Sequence, residues 1–181
     1  NFEKALTVTD ADELQRLMSI VIVGGGPTGV ELAGAVAEMK KYVLPKDYPE
    51  LDFSMMNIYL LEGAGKTLAA MSEKSSVQSQ KYLERLNVRV LTNTLLEGYD
   101  GRNVSLKDGK RIAANTVIWA AGIKGNIPDG LDKELIARGN RIKTDRYCKV
   151  IGRNNIYAIG DIAYMETPKY PNSHPQVAPV A

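Results

Sequence analysis

The sequence predicts an α/β fold: a parallel sheet built from strand–helix alternation, followed by an antiparallel three-stranded flap. Three observations carry this. Four β-branched residues, Ile20-Val21-Ile22-Val23, run straight into Gly24-Gly25-Gly26 and then into the small-residue helix Leu32-Ala33-Gly34-Ala35-Val36-Ala37-Glu38. Two more apolar runs, Met56 to Leu61 and Val88 to Leu91, are separated by a helical pattern, which completes a β-α-β-α-β unit. Asp100-Gly101 and Asp108-Gly109 then mark turns between three short runs, Leu95 to Tyr99, Val104 to Leu106 and Arg111 to Ala113.

Composition narrows the function. The chain has 181 residues and 44% hydrophobic content, enough for one good core and part of a second. A net charge of +2 argues against a nucleic-acid partner. The one cysteine, Cys148, forms no internal disulfide and no C-x-x-C pair. One histidine, His174, and scattered carboxylates make no metal-ligand cluster, so no metal site is expected. No apolar run approaches the ~20 residues of a membrane span. The start has no signal-peptide character. A soluble protein of a reducing compartment is expected. Both ends look cut, as in a piece of a longer protein.

Taken in order, Asp10 offers an N-cap with Glu13 at N3, so a short helix leads into the first strand. That lead-in covers residues 1–18. The next helix is expected from about Thr28 to Tyr42, with Lys40, Lys41 and Lys46 near its end, where cations are favoured. An irregular insertion with Pro45 and Pro49 reaches about Ser54. Met55, Met56 and Tyr59 are expected in the core or on a strand face. Ser72 or Ser75 caps a second helix with Val77, Leu83 and Leu86 facing inward. Thr116 to Trp119 is expected as another buried strand. Ile142, Tyr147, Val150 and Ile151 suggest short strands, and Ile156 to Ile159 a further one ending on Gly160-Asp161. Prolines from Pro168 to Pro179 suggest an extended loop before a helix. His174 falls in that loop.

The chemistry concentrates at strand ends. Gly24, Gly26 and Gly29 have the spacing G-x-G-x-x-G, with a strand before and a helix after. Gly24 permits the sharp turn, Gly26 lets backbone approach a pyrophosphate, and Gly29 allows close helix–strand packing. The N–H groups at the helix start then face the phosphates. A glycine-rich turn in some other α/β fold is the plainer alternative. Glu62, at the tip of the second strand and followed by Gly63, has the place of a carboxylate that accepts hydrogen bonds from an adenosine ribose and repels a 2′-phosphate. An exposed strand-end glutamate is the plainer alternative, and Lys66 nearby leaves room for a 2′-phosphate. Ala120-Ala121-Gly122 lets backbone lie close to a ligand. Asp161 can accept hydrogen bonds from a sugar-alcohol hydroxyl.

Together these residues resemble a known family. Val21 to Gly34 resembles the NAD-binding fingerprint of type II NADH:quinone dehydrogenases, flavoproteins with two dinucleotide-binding domains related to glutathione reductase. Thr116 to Gly122 resembles the strand-turn after the flap. Asn155 to Asp161 resembles the flavin motif, and His174 to Ala181 the helix start beside the flavin ring. The resemblance implies a Rossmann-like NAD(H)-binding domain over 19–123 and a partial FAD-binding segment over 124–181. It implies that Gly24, Gly25, Gly26, Pro27, Thr28 and Gly29 hold the pyrophosphate, that Glu62 and Gly63 hold the ribose, and that Ala120, Ala121 and Gly122 line the NADH channel. Glu31 would sit near the nicotinamide and flavin, as a catalytic candidate that relays a proton or shapes the quinone site. The alternative is a first-turn carboxylate complementing the helix dipole. Gly160 and Asp161 would bind the FAD ribityl chain, and Ala178, Pro179 and Val180 would abut the isoalloxazine.

The cofactors implied are NADH and FAD, with a quinone as acceptor. The parent protein would sit peripherally on the cytoplasmic side of a membrane, docked through a C-terminal part; a homodimer stays open. Pro179 departs from the Gln common in the family, and the first flavin G-x-G-x-x-G is absent from these residues. The piece itself is therefore expected to bind NADH, to hold FAD poorly and to turn over nothing. Two rival readings stay open. One is a ferredoxin, thioredoxin or disulfide reductase of the same superfamily; the other is a non-catalytic NADH-sensing module.

Overall fold

The computed structural model describes residues 1–174. Ala178, Pro179, Val180 and the helix expected near them lie outside the described residues. The chain divides into two compact units, Asn1–Gly122 and the residues from Ile123 onward.

The first unit opens with α1 (Phe2–Ala5) and α2 (Ala11–Leu17). The Asp10 carboxylate accepts the Glu13 N–H at 2.7 Å, the cap expected from sequence. This lead-in packs into the first unit, since Ala5, Leu17 and Met18 are buried in its main core.

Next come β1 (Ser19–Val23), α3 (Pro27–Tyr42), β2 (Asn57–Leu61), α5 (Glu73–Arg85) and β3 (Val88–Leu91), with the short α4 (Leu44–Asp47) after α3. The flap is β4 (Leu96–Tyr99), β5 (Asn103–Leu106) and β6 (Arg111–Ala113), and β7 (Thr116–Trp119) closes the unit. The main sheet is parallel with order β3-β2-β1-β7, Ser19 facing Asn57 and Ile20 facing Thr116. The flap is an antiparallel sheet of order β4-β5-β6.

Both faces of β1 are covered, which is why Ile20 to Val23 read as an unbroken apolar run. Ile20 and Ile22 join Ile58, Leu60 and Val88 in a core that also takes Ala33 and Ala37 of α3 and Leu83 of α5. On the other face Val21, Val23 and Leu61 meet Val104, Leu106 and Ile112 of the flap.

Several local expectations are corrected. The insertion after α3 is ordered: α4 is followed by a 3₁₀ turn at Phe53–Met55, because Leu44 and Phe53 bury their side chains in the main core. Met56 is buried, but Met55 is exposed. Ser72 caps α5 through a 3.1 Å bond from the Ser75 N–H. Leu83 faces inward as expected, whereas Val77 is 43% exposed and its neighbour Ser76 takes the buried place. β7 is an edge strand, paired on one side only, so it is half-buried rather than buried, and Trp119 is 63% exposed.

The second unit holds β8 (Ile136–Ala137), β9 (Arg141–Thr144) and β10 (Ala163–Met165) in a small sheet of order β10-β9-β8. Its core is Ile142, Val150, Ala158 and Ala163. Ile156 to Ile159 is not a regular strand. Its ladder is one bridge, Tyr157 to Lys149, and only Ala158 of the four is buried. Tyr147 and Ile151 lie in turns. Gly160–Ile162 forms a 3₁₀ turn rather than a strand tip.

Candidate functional site

At the C-terminal end of the main sheet, β1, β2 and β7 stop together around a cleft of about 510 Å³. The chain leaves β1 through Gly24, whose φ of +112° suits glycine alone. A Cβ there would sit 2.6 Å from the Ala120 carbonyl oxygen, so the glycine brings the ends of β1 and β7 together. At Gly29 a Cβ would fall 1.8 Å from the Gly24 carbonyl oxygen. This is the close helix–strand packing expected of the third glycine. Gly26 is different: nothing lies within 4 Å of where its Cβ would be, which leaves open space on the cleft side of the turn.

The helix ladder of α3 begins at Val30, whose N–H donates to the Gly26 carbonyl at 3.0 Å. Gly26 is the N-cap and supplies no side-chain cap, and Pro27 has no N–H to lose. The first-turn N–H groups of Thr28 and Gly29 therefore precede the ladder, where an anion is favoured. No acidic residue occupies that first turn.

Glu62 stands opposite, just past β2. Its carboxylate accepts the Gly25 N–H at 2.5 Å through Oε2 and the Ala64 N–H at 2.6 Å through Oε1. The Glu62 backbone is pinned as well: its N–H donates to the Leu91 carbonyl, and its carbonyl accepts from the Thr94 N–H, each at 2.9 Å. The two charge-assisted bonds to the carboxylate fix it at the cleft edge, and the one from Gly25 ties it to the glycine turn.

The structure thus brings Gly24, Gly26, Pro27, Glu62, Gly63, Ala120, Ala121 and Gly122 onto one cleft. Gly25 lies beneath it on Glu62, and Thr28 and Gly29 open α3 behind it. Glu31 is the fifth residue of α3, past its first turn, exposed and outside the cleft lining. The reading of Glu31 as a first-turn carboxylate is accordingly corrected. Gly160 and Asp161 lie in the second unit. There Arg141 donates through Nε to the Asp161 carbonyl at 3.1 Å.

The sequence reading passed over Thr94, Leu95, Leu96 and Trp119, which also line the cleft. Leu95 approaches Gly63 so closely that a Cβ there would meet its Cδ2 at 2.7 Å. The signal available was positional for Trp119, the last residue of β7, because ligands bind at the carboxyl ends of strands in open α/β sheets. Thr94, Leu95 and Leu96 belong to the link from β3 into the flap and its first residue, which no local pattern marked.

A parallel sheet whose first crossover helix starts on glycines, with a pinned carboxylate at the next strand tip, defines a dinucleotide-binding fold of the Rossmann class. The chain belongs to the pyridine nucleotide-disulphide oxidoreductase family, whose profile matches residues 1–181. Its relatives include the type II NADH:quinone oxidoreductase NdhA of Mycobacterium tuberculosis, 31% identical over 91% of this chain and 37% of that protein. Another is the mitochondrial external alternative NAD(P)H-ubiquinone oxidoreductase B3 of Arabidopsis thaliana, 32% identical over 90% of this chain and 29% of that protein. Among solved structures, NDH2 from Plasmodium falciparum in complex with NADH superposes with a TM-score of 0.77 at 26% identity, covering 91% of this chain and 36% of that one. The chain spans well under half the length of the relatives it matches. The resemblance read from Val21 to Gly34 agrees with these relatives. Among the described residues no cluster of potential metal ligands occurs, and no helix is long and apolar enough to cross a membrane.

Proposed function

We propose that the chain is the NADH-binding part of a flavoprotein that takes a hydride from NADH and passes electrons to a membrane quinone. The observation that carries this reading is one cleft lined by Glu62 and by Gly26 and Pro27 at the start of α3, with the Glu62 carboxylate held by the Gly25 N–H of the glycine turn. The N–H groups of Thr28 and Gly29 receive the pyrophosphate, and the open space at Gly26 lets it approach. Glu62 accepts from the adenosine ribose hydroxyls while Gly25 and Ala64 hold it in place, and its charge opposes a 2′-phosphate. Ala120, Ala121 and Gly122 give the remainder of the dinucleotide a wall of backbone and small side chains.

The second unit supports a place for FAD. Gly160 has a φ of +73° with open space where a Cβ would lie, next to Asp161. Gly160 and Asp161 would hold the ribityl chain, with Ala178, Pro179 and Val180 near the ring. FAD, when bound, supplies the hydride acceptor. Glu31 serves the acceptor side, as a proton relay or as part of the quinone site. In the full-length protein Glu31→Gln then slows quinone turnover, and a rate unchanged across pH removes that role. The parent works peripherally on the cytoplasmic side of a membrane. These 181 residues bind NADH and are inactive by themselves.

Titration with NADH and NADPH, followed by nicotinamide fluorescence, tests the reading. Saturable NADH binding is expected, with NADPH much weaker. Glu62→Ala should weaken NADH about tenfold, or about 1.4 kcal/mol, and narrow the gap to NADPH. Equal binding of the two dinucleotides by the unaltered chain would overturn the role of Glu62.

A further inference from the structure

A larger cavity, about 830 Å³, lies at the opposite end of the main sheet, around the starts of β2 and β3 and the ends of α3 and α5. Four cations line it: Lys40, Lys41, Arg85 and Arg89. Its floor includes the buried apolar side chains of Phe53, Met56 and Val88. Glu84 is the one carboxylate in the lining, and it accepts a 2.9 Å bond from Gln80.

Among the described residues, none of the four cations forms a salt bridge. Lys40 Nζ donates to the Met56 carbonyl at 2.6 Å. Arg85 Nε reaches the Lys81 carbonyl at 3.3 Å. Arg89 donates to the Tyr59 hydroxyl at 2.9 Å and lies over its ring, which holds it at the rim. Lys40, Lys41 and Arg85 occupy the last turns of α3 and α5, where they complement the helix dipoles. That account does not cover Arg89, which belongs to β3. Partial burial, and then the positive charge of Arg89, hold the Lys40 ammonium below the ordinary lysine value; Asp52 acts against this without cancelling it.

We propose that this cavity is a second binding site, separate from the dinucleotide cleft, for a phosphate-bearing small molecule. Lys40, Lys41, Arg85 and Arg89 take its anionic group, and the Phe53–Met56 floor takes its organic body. The volume is that of a small-molecule pocket, and its lining sets four cations beside the apolar side chains of Phe53, Met56 and Val88. The proposal does not depend on the reading of the dinucleotide cleft.

Amide NMR of the isotopically labelled 181-residue chain, titrated at low salt with pyrophosphate and separately with ATP, tests it. Saturable shifts are expected at Lys41, Asn87 and Arg89, as well as any response at Gly24 to Gly29. The double variant Lys41→Gln/Arg89→Gln should weaken the first set at least about tenfold and leave the second unchanged. Shifts confined to Gly24–Gly29, no shifts at all, or an affinity unchanged in the double variant would each overturn the proposal.

Discussion

Two four-residue apolar runs, Ile20 to Val23 and Ile156 to Ile159, both end on a glycine, and they meet different fates. The first is an inner strand of the parallel sheet, bonded to β2 on one side and β7 on the other. Helices cover one of its faces and the flap covers the other. The second run makes one bridge and leaves Ile159 74% exposed. Its backbone does pair, since the Ala158 N–H donates to the Cys148 carbonyl and the Val150 N–H to the Ile156 carbonyl, each at 2.9 Å. What it lacks is a second neighbour and a covered face. An apolar, β-branched run therefore reports extended backbone, and the elements on either side decide whether it becomes a core strand.

The glycines that follow sharpen the contrast. Gly29 closes against the Gly24 carbonyl, while the Cβ position at Gly160 meets open space. Gly29→Ala is the most damaging change expected: about 4 kcal/mol or more lost in denaturant unfolding, together with NADH binding. Only a shift of α3 away from β1 would relieve the clash, so a stable Gly29→Ala protein with normal binding would break the contrast.

Ile22→Ala should cost about 2–5 kcal/mol, because both faces of β1 are covered and the neighbours cannot close the void. Ile159→Ser should stay within about 0.5 kcal/mol in the same unfolding measurement, as an exposed site. Similar costs at the two positions would mean that the second run is buried in the folded chain.

The smallest effect is expected away from both runs, at the turn between β4 and β5. Hydrogen bonds from the Asn103 and then the Arg102 backbone N–H groups hold the Asp100 carboxyl below its ordinary value. Its contribution is present above the unfolded-state value and is lost as pH falls through the folded one. The stability gap between the parent chain and Asp100→Ala should therefore be small at neutral pH and vanish on acidification.

Legibility followed locality. The Asp10 cap, the glycine turn, the Asp-Gly hairpins and β3 were readable because each depends on residues within a few positions of one another. The place of Glu62 at a strand tip was readable, but its hold on the Gly25 and Ala64 N–H groups was not. The half-exposure of β7, the burial of Ser76 in place of Val77 and the cleft lining by Leu95 and Trp119 were hidden as well. Each depends on which distant strand or helix lies alongside.

By itself the sequence determined the α/β class, the glycine turn at the start of α3 and the acidic residue across from it. Backbone φ preferences, caps and hydrophobic period are local properties that the chain carries wherever it goes. Only the tertiary structure decided that β7 is an edge, that the second apolar run stays irregular and that four cations gather at the far end of the sheet. Those outcomes come from pairing and burial between segments far apart in the chain, where a side chain's environment is set by its neighbours in space.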